Sequence, residues 1–181
     1  MKARRVVTGH VDGRSVIVSD DDVEPVTLSL APGSEFCRLW GSDETVTFPD
    51  DGSVPPHHTY FPPVGGFRFE IVTLPPGFNV DPIEIPPDID LVAAAGEAFE
   101  KLGMTAQGVP DPDRPGMHVS DSIDMIVILS GELWMAVEDG TEVHLRQGDT
   151  IVQNGTQHAW YNRGKAPVEF AVFLVGANRS S

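Results

Sequence analysis

Three side chains in the second half of the chain are of types that do chemistry near neutral pH: His118, Asp124 and His158. His118, Ser120, Ser122 and Asp124 alternate along a stretch that then becomes apolar, MIVIL. Residues two apart in a strand point the same way, so these four project from one face. His158, Trp160 and Asn162 share a parity on a later run. A polar row on a buried face is costly unless its members meet water, a ligand or each other. If the two runs are neighbours, two imidazoles and one carboxylate converge, with Ser120, Ser122 and Trp160 as candidate substrate-binding groups. Such nitrogen and oxygen donors suit iron, zinc, manganese, nickel or copper, with open positions where substrate or water is polarised. Without a metal the trio is a general acid/base set: an imidazole that titrates near neutrality, oriented by a carboxylate. Bonded only to each other, the same groups would be structural.

The elements that must position these groups are short strands. RRVVTGHV and RSVIVS are joined at Asp12-Gly13, a dipeptide suited to tight hairpins, and an acidic turn, SDDDVEP, follows. Further strands are expected over 26–30 and 35–40. Residues 47–64 are turn-rich, with prolines that cannot donate to a ladder and with Tyr60 and Phe61 as apolar anchors. They are expected to form an ordered loop over the domain, with His57 and His58 in an exposed turn. In GGFRFEIVTL, Phe67, Phe69 and Ile71 share one face and Arg68 and Glu70 the other, which makes Arg68 a candidate wall of a polar cavity. One helix is expected, capped by Asp88 or Asp90, with an apolar stripe of Leu91, Val92, Ala95, Phe99 and Leu102 and a stop at Gly103. Six strands then follow quickly, over 122–129, 133–137, 143–145, 150–152, 159–162 and 168–175. Turn signals separate them, as in a sandwich or barrel. The apolar runs MIVIL and FAVFLV are expected to be covered on both faces.

At 181 residues one domain is expected, 1–181. Its strands and covering loop would occupy 1–64 and its barrel 65–181. A formal net charge of -15 speaks against nucleic acid or an anionic membrane as partner. Cys37 is the only cysteine, so no intrachain disulfide can form, and its apolar neighbours make it a structural thiol. No apolar run is long enough to span a bilayer, and a cytoplasmic protein is expected. The sequons at Asn154 and Asn178 are then chance matches.

Across 116–162 the sequence resembles the cupin superfamily of double-stranded β-helix barrels. The family's first motif is Gly, five residues, His-x-His, three or four residues, Glu, six residues, Gly. It is matched in outline by His118-Val-Ser120 through Asp124 to Gly131. The second motif is matched from Gly148 through Gln153, Gly155 and His158 to Asn162. Three positions depart: Ser120 for the second histidine, Asp124 for glutamate and Gln153 for proline. The resemblance implies an all-β fold, a cupin jelly-roll barrel with additional N-terminal strands and one short helix. It implies His118, Asp124 and His158 as metal ligands for iron, zinc, manganese or nickel, if any metal is held. It further implies a homodimer acting on small oxygenated organic acids or ketones. Loss of a nitrogen ligand turns the expectation toward non-redox work: dehydration, decarboxylation, isomerisation or cyclisation. A mononuclear iron dioxygenase and a non-catalytic binding or sensor barrel are the alternatives.

Overall fold

The structure is a computed structural model that describes residues 2–80, 89–104 and 116–180. In chain order the strands are β1 (Ala3–Val11), β2 (Arg14–Val23), β3 (Glu35–Ser42) and β4 (Phe67–Leu74). After helix α1 (Leu91–Leu102) come β5 (Ser122–Ser130), β6 (Glu132–Val137), β7 (Glu142–Arg146), β8 (Thr150–Asn154), β9 (His158–Tyr161) and β10 (Val168–Gly176). A five-stranded sheet, β3-β4-β10-β5-β8, faces a three-stranded one, β7-β6-β9, while β1 and β2 form a separate hairpin. Every strand pair in the two large sheets is antiparallel. Val72, Leu74, Ile126, Ile128, Phe170, Val172 and Leu174 from the large sheet meet Leu133, Leu145 and Trp160 from the small one, forming a single core. This is the expected double-stranded β-helix, closed so that inward residues of both sheets share an interior.

Local chemistry accounts for much of it. Asp12 and Gly13 take the positive φ that their hairpin turn needs. Asp90 caps α1 by accepting from the Val92 and Ala93 amides, and Gly103 ends the helix in the left-handed region at φ 67°. A Cβ on Gly103 would also stand 2.1 Å from the His58 carbonyl oxygen, so the loop over 47–64 packs directly on the helix end. The Tyr60 amide donates to the Gly103 carbonyl, and the Tyr60 and Phe61 rings pack on the core as the loop's anchors.

Several expectations are corrected. The acidic SDDDV lies inside β2, whose partner β1 sets Arg4 against Asp20 in an ion pair. Residues 26–30 form only an isolated bridge, Val26 to Phe36. The barrel begins before residue 65, because β3 pairs along β4. Leu91, Val92 and Phe99 are exposed, and α1 touches the core through Ala98 and Leu102 instead, with Ala94 buried on the same line. The line i, i+4, i+8 is the narrower stripe of a helix lying on a surface. Asp88 lies outside the described residues. MIVIL and FAVFLV are covered on one face only within this chain: Met125 is 41% and Phe173 37% exposed, whereas Ile126, Ile128, Val172 and Leu174 are buried. Cys37 is buried, with its thiol donating to the Val23 carbonyl, as suits a structural thiol. Among the described residues no helix is long and apolar enough to cross a membrane.

Candidate active site

The site is built on two cross-strand pairs. His118 and His158 form an antiparallel bridge in which each backbone N–H donates to the other's carbonyl, both at 2.9 Å. Directly opposed residues of such a pair carry their side chains on one side. The two imidazole centroids are accordingly 4.4 Å apart. One strand system over, Asp124 on β5 is opposite Gln153 on β8. The sequence parity holds: Ser120, Ser122, Asp124, His158, Trp160 and Asn162 are all buried.

Hydrogen bonds orient each group. His118 Nδ1 lies 2.8 Å from the Gly116 carbonyl oxygen, so Nδ1 donates and Nε2 keeps its lone pair. His158 Nδ1 is 2.9 Å from the Thr156 carbonyl and 2.8 Å from the Gln153 amide nitrogen. The Gln153 oxygen accepts from the Gly155 amide, which turns its NH₂ toward the ring. A neutral imidazole makes only one of those two bonds at a time, so Gln153, where the motif has proline, bears on the His158 tautomer. Ser122 donates to Asp124 Oδ1 at 2.6 Å, and Ser120 reaches Oδ2 at 3.5 Å. The Ser120 and Ser122 hydroxyl oxygens lie 3.0 Å apart.

His118, Asp124, His158 and Trp160 line a cavity of about 380 Å³ whose walls are otherwise mainly Phe36, Tyr60, Phe61, Phe78 and aliphatic side chains of β4, β5 and β10. Burial, then the neighbouring His118 charge, lowers the His158 imidazole to about 4, so it is neutral at pH 7. Burial raises the Asp124 carboxyl, against the pull of Ser122, His118 and Ser120 toward the ionised form.

Two donors of the expected metal set are well prepared, because a ligating imidazole usually gives its other nitrogen to a backbone carbonyl. The third is not. Asp124 is held by two serine hydroxyls, and among the described residues no group of three or more His, Cys, Asp or Glu side chains could hold a metal ion. Serine at 120 and the shorter aspartate at 124 are the departures from the motif that bear on the ligand set His118, Asp124 and His158, all three of which line one cavity.

Arg68 does not line this cavity. It is fully buried, its guanidinium donating to the carbonyls of Thr59, Ser42 and Phe67 and to Asp43. Its inward parity was legible; its saturation by loop carbonyls was not. Asn162 is likewise structural, bonding the Leu74 and Ala166 carbonyls. His57 is bonded to the Pro55 carbonyl, and His144 stacks on Trp134 with Glu132 at its Nε2.

Sequence reasoning passed over Glu70, which is 1% exposed on the inward face of β4. Burial raises its carboxyl to about 7, with Arg38 and Arg68 pulling it back. Its linkage to stability is opposite in sign to that of His158. The unfolded chain protonates histidine near 6.5 and the native site only near 4, so stability falls as pH drops through that window. Native Glu70 holds its proton to about 7 while the unfolded chain releases it near 4.5, so stability falls as pH rises. Each contribution is on the order of 3 kcal/mol at full extent, and between pH 4.5 and 6.5 they offset. Glu70→Gln is expected to turn a flat profile of denaturant midpoint over that window into one that falls toward acid. A mutant profile parallel to the wild type would contradict these assignments.

Residues 109–175 match the model of the family described as "Cupin domain" (Cupin_2), a segment that carries all three candidate catalytic residues. The cupin resemblance is thus supported by a family model over residues 109–175, less than half of the chain. It is similar to "Phomopsin biosynthesis cluster protein C'" of Diaporthe leptostromiformis, 44% identical over 66 residues, 34% of this chain and 35% of that protein. It is also similar to "Oryzines biosynthesis cluster protein J" of Aspergillus oryzae, 35% identical over 61 residues, 34% of each. These matches span about a third of the length of the curated relatives. Among solved structures, the Cnp3 cupin domain of Schizosaccharomyces pombe aligns over 96% of this chain and 87% of that one, at 12% identity and a TM-score of 0.48.

Proposed function

We propose that this cupin is an enzyme that moves a proton on a small oxygen-bearing organic molecule, in non-redox chemistry of the isomerase or lyase type. The observation that supports it most is the His118–His158 pair, bridged through both backbones and opening onto an apolar cavity that also holds Asp124. His118 Nε2, with its lone pair free, removes a proton from the carbon next to a carbonyl. The electron pair moves to the carbonyl oxygen, and Asp124 offsets the charge acquired by the ring. Return of the proton to another atom gives isomerisation; departure of a β-substituent instead gives elimination. His158, kept neutral by burial, meets the substrate as an uncharged imidazole and leaves the positive charge to His118. The printed names of the relatives, proteins of biosynthesis clusters, are in keeping with work on a small organic molecule.

The test is proton exchange. The purified chain is incubated in D₂O with a panel of small ketones, keto acids and hydroxy acids, and loss of C–H signal is followed by NMR. Exchange of at least one compound above the buffer rate is expected. Binding without exchange across the panel would select the non-catalytic binding barrel, which the largely apolar cavity wall also suits.

A further inference from the structure

Gln153 has no part in the chemistry above, yet it is buried on β8 directly opposite Asp124. Both ends of its amide meet main-chain groups of known polarity. The Gly155 N–H donates to its oxygen at 3.0 Å. Its nitrogen donates to the Thr156 carbonyl at 2.5 Å, with the Thr156 hydroxyl at 2.9 Å. A flipped amide would set nitrogen against an N–H and oxygen against a carbonyl, so the hydrogen-bond network fixes its orientation.

The amide nitrogen has a second hydrogen, and His158 Nδ1 lies 2.8 Å away. An amide nitrogen only donates, so at that distance the ring nitrogen is the acceptor. A proton on Nδ1 would set two N–H groups against each other in a buried place. The Thr156 carbonyl, 2.9 Å from the same ring nitrogen, already takes a proton from Gln153 and needs none from the ring. With Nδ1 bare, the proton of the neutral ring sits on Nε2, the nitrogen on the side away from Gln153. His118 is held the other way: its Nδ1 faces a carbonyl, which only accepts, so its Nε2 is bare. Both rings belong to the cavity wall, and their centroids are 4.4 Å apart. One imidazole accepts and its neighbour donates.

We propose that Gln153 is a positioning residue that holds His158 as its Nε2–H tautomer, and that this N–H donates a hydrogen bond to the carbonyl oxygen of the substrate. This deepens the acid–base reading and rests on it. His118 Nε2 takes the proton from the carbon beside the carbonyl. The C–H electron pair becomes the new C=C bond, and the carbonyl pair moves onto oxygen. His158 tightens its hydrogen bond to that oxygen and keeps its own proton. A neutral imidazole serves in this way because its donor is aimed where negative charge develops. Proline, the motif residue at this place, has no N–H to offer, so the device belongs to the glutamine of this chain. The substrate class it selects is a carbonyl compound with a hydrogen on the adjacent carbon.

The tautomer is read directly by NMR of the full chain labelled with ¹⁵N at the histidine rings. The His158 signals are identified by their loss in His158→Asn. In the wild type at neutral pH, Nδ1 is expected at the position of a bare ring nitrogen and Nε2 at that of a protonated one. Gln153→Glu, whose carboxylate accepts from Nδ1–H, and Gln153→Met, which leaves the ring to the Thr156 carbonyl, should each exchange the two signals. The probe for the donor is acetophenone labelled with ¹³C at the carbonyl, whose resonance should move downfield on binding to the wild type and less in either variant. Its α-proton exchange in D₂O at saturation should fall about 10²–10³-fold in the variants, the range for loss of one such donor, while its binding weakens about tenfold at most. A wild-type His158 with its proton on Nδ1 would overturn the proposal whether or not the variants fold. So would exchanged signals with turnover unaltered, or acetophenone bound with no carbonyl shift. Those results leave the acid–base reading standing if exchange still depends on His118. Failure of acetophenone to bind or exchange, together with the absence of exchange across the wider panel, would overturn both.

Discussion

Arg68→Ala is expected to lower the melting temperature by about 6–20 °C. Removing one partner from a buried, hydrogen-bonded charge costs about 3–5 kcal/mol, and each kcal/mol is worth about 2–4 °C in a chain of this size. The guanidinium is fully buried and serves the carbonyls of Ser42, Thr59 and Phe67 together with Asp43. Truncation would leave these acceptors facing a void, and would release the covering loop from the strand beneath it. Arg68→Lys should recover only part of the loss, since a single ammonium cannot reproduce the planar fork. Thermal unfolding followed by circular dichroism reads the effect. A variant that melts like the wild type but loses ligand binding would return Arg68 to the substrate-binding role that its parity on the strand suggested.

The second large effect concerns turnover. His118→Ala and Asp124→Asn are each expected to reduce the proton-exchange rate by about 10²–10⁴-fold, the range for loss of a positioned acid or base. The two variants fail for different reasons. His118→Ala removes the base itself, whereas Asp124→Asn keeps the shape and the Ser122 contact and removes only the charge that favours a protonated ring. Single-turnover exchange in D₂O with saturating ketone separates chemistry from binding. Exchange retained within threefold in either variant would rule out that residue's role.

The contrast between Arg68 and His118 shows how far a sequence can be read. Both were placed on inward faces by simple alternation, and both are inward. Alternation is a property of one strand, enforced by the pleat, and it survives folding. What an inward side chain meets depends on which segment lies across from it. Arg68 met the carbonyls of Thr59 and Ser42, 9 and 26 residues away in sequence, and no local signal announces that pairing. The helix shows the same division. Its caps at Asp90 and Gly103 were legible because capping is local, while its buried stripe shifted to Ala94, Ala98 and Leu102 because the docking angle is set by the partner surface.

The sequence by itself determined the strand pattern, the Asp12-Gly13 turn, the helix ends and the row from His118 to Asp124 on one face, because each follows from backbone periodicity or a side chain bonding its own neighbourhood. It also determined the cupin resemblance, since motif spacing is a one-dimensional quantity. Only the tertiary structure decided that His118 bridges His158 backbone to backbone, that Gln153 reaches the His158 ring, and that serine hydroxyls occupy Asp124. These are register and closure effects, in which a one-residue slip would turn every one of these side chains to the other face.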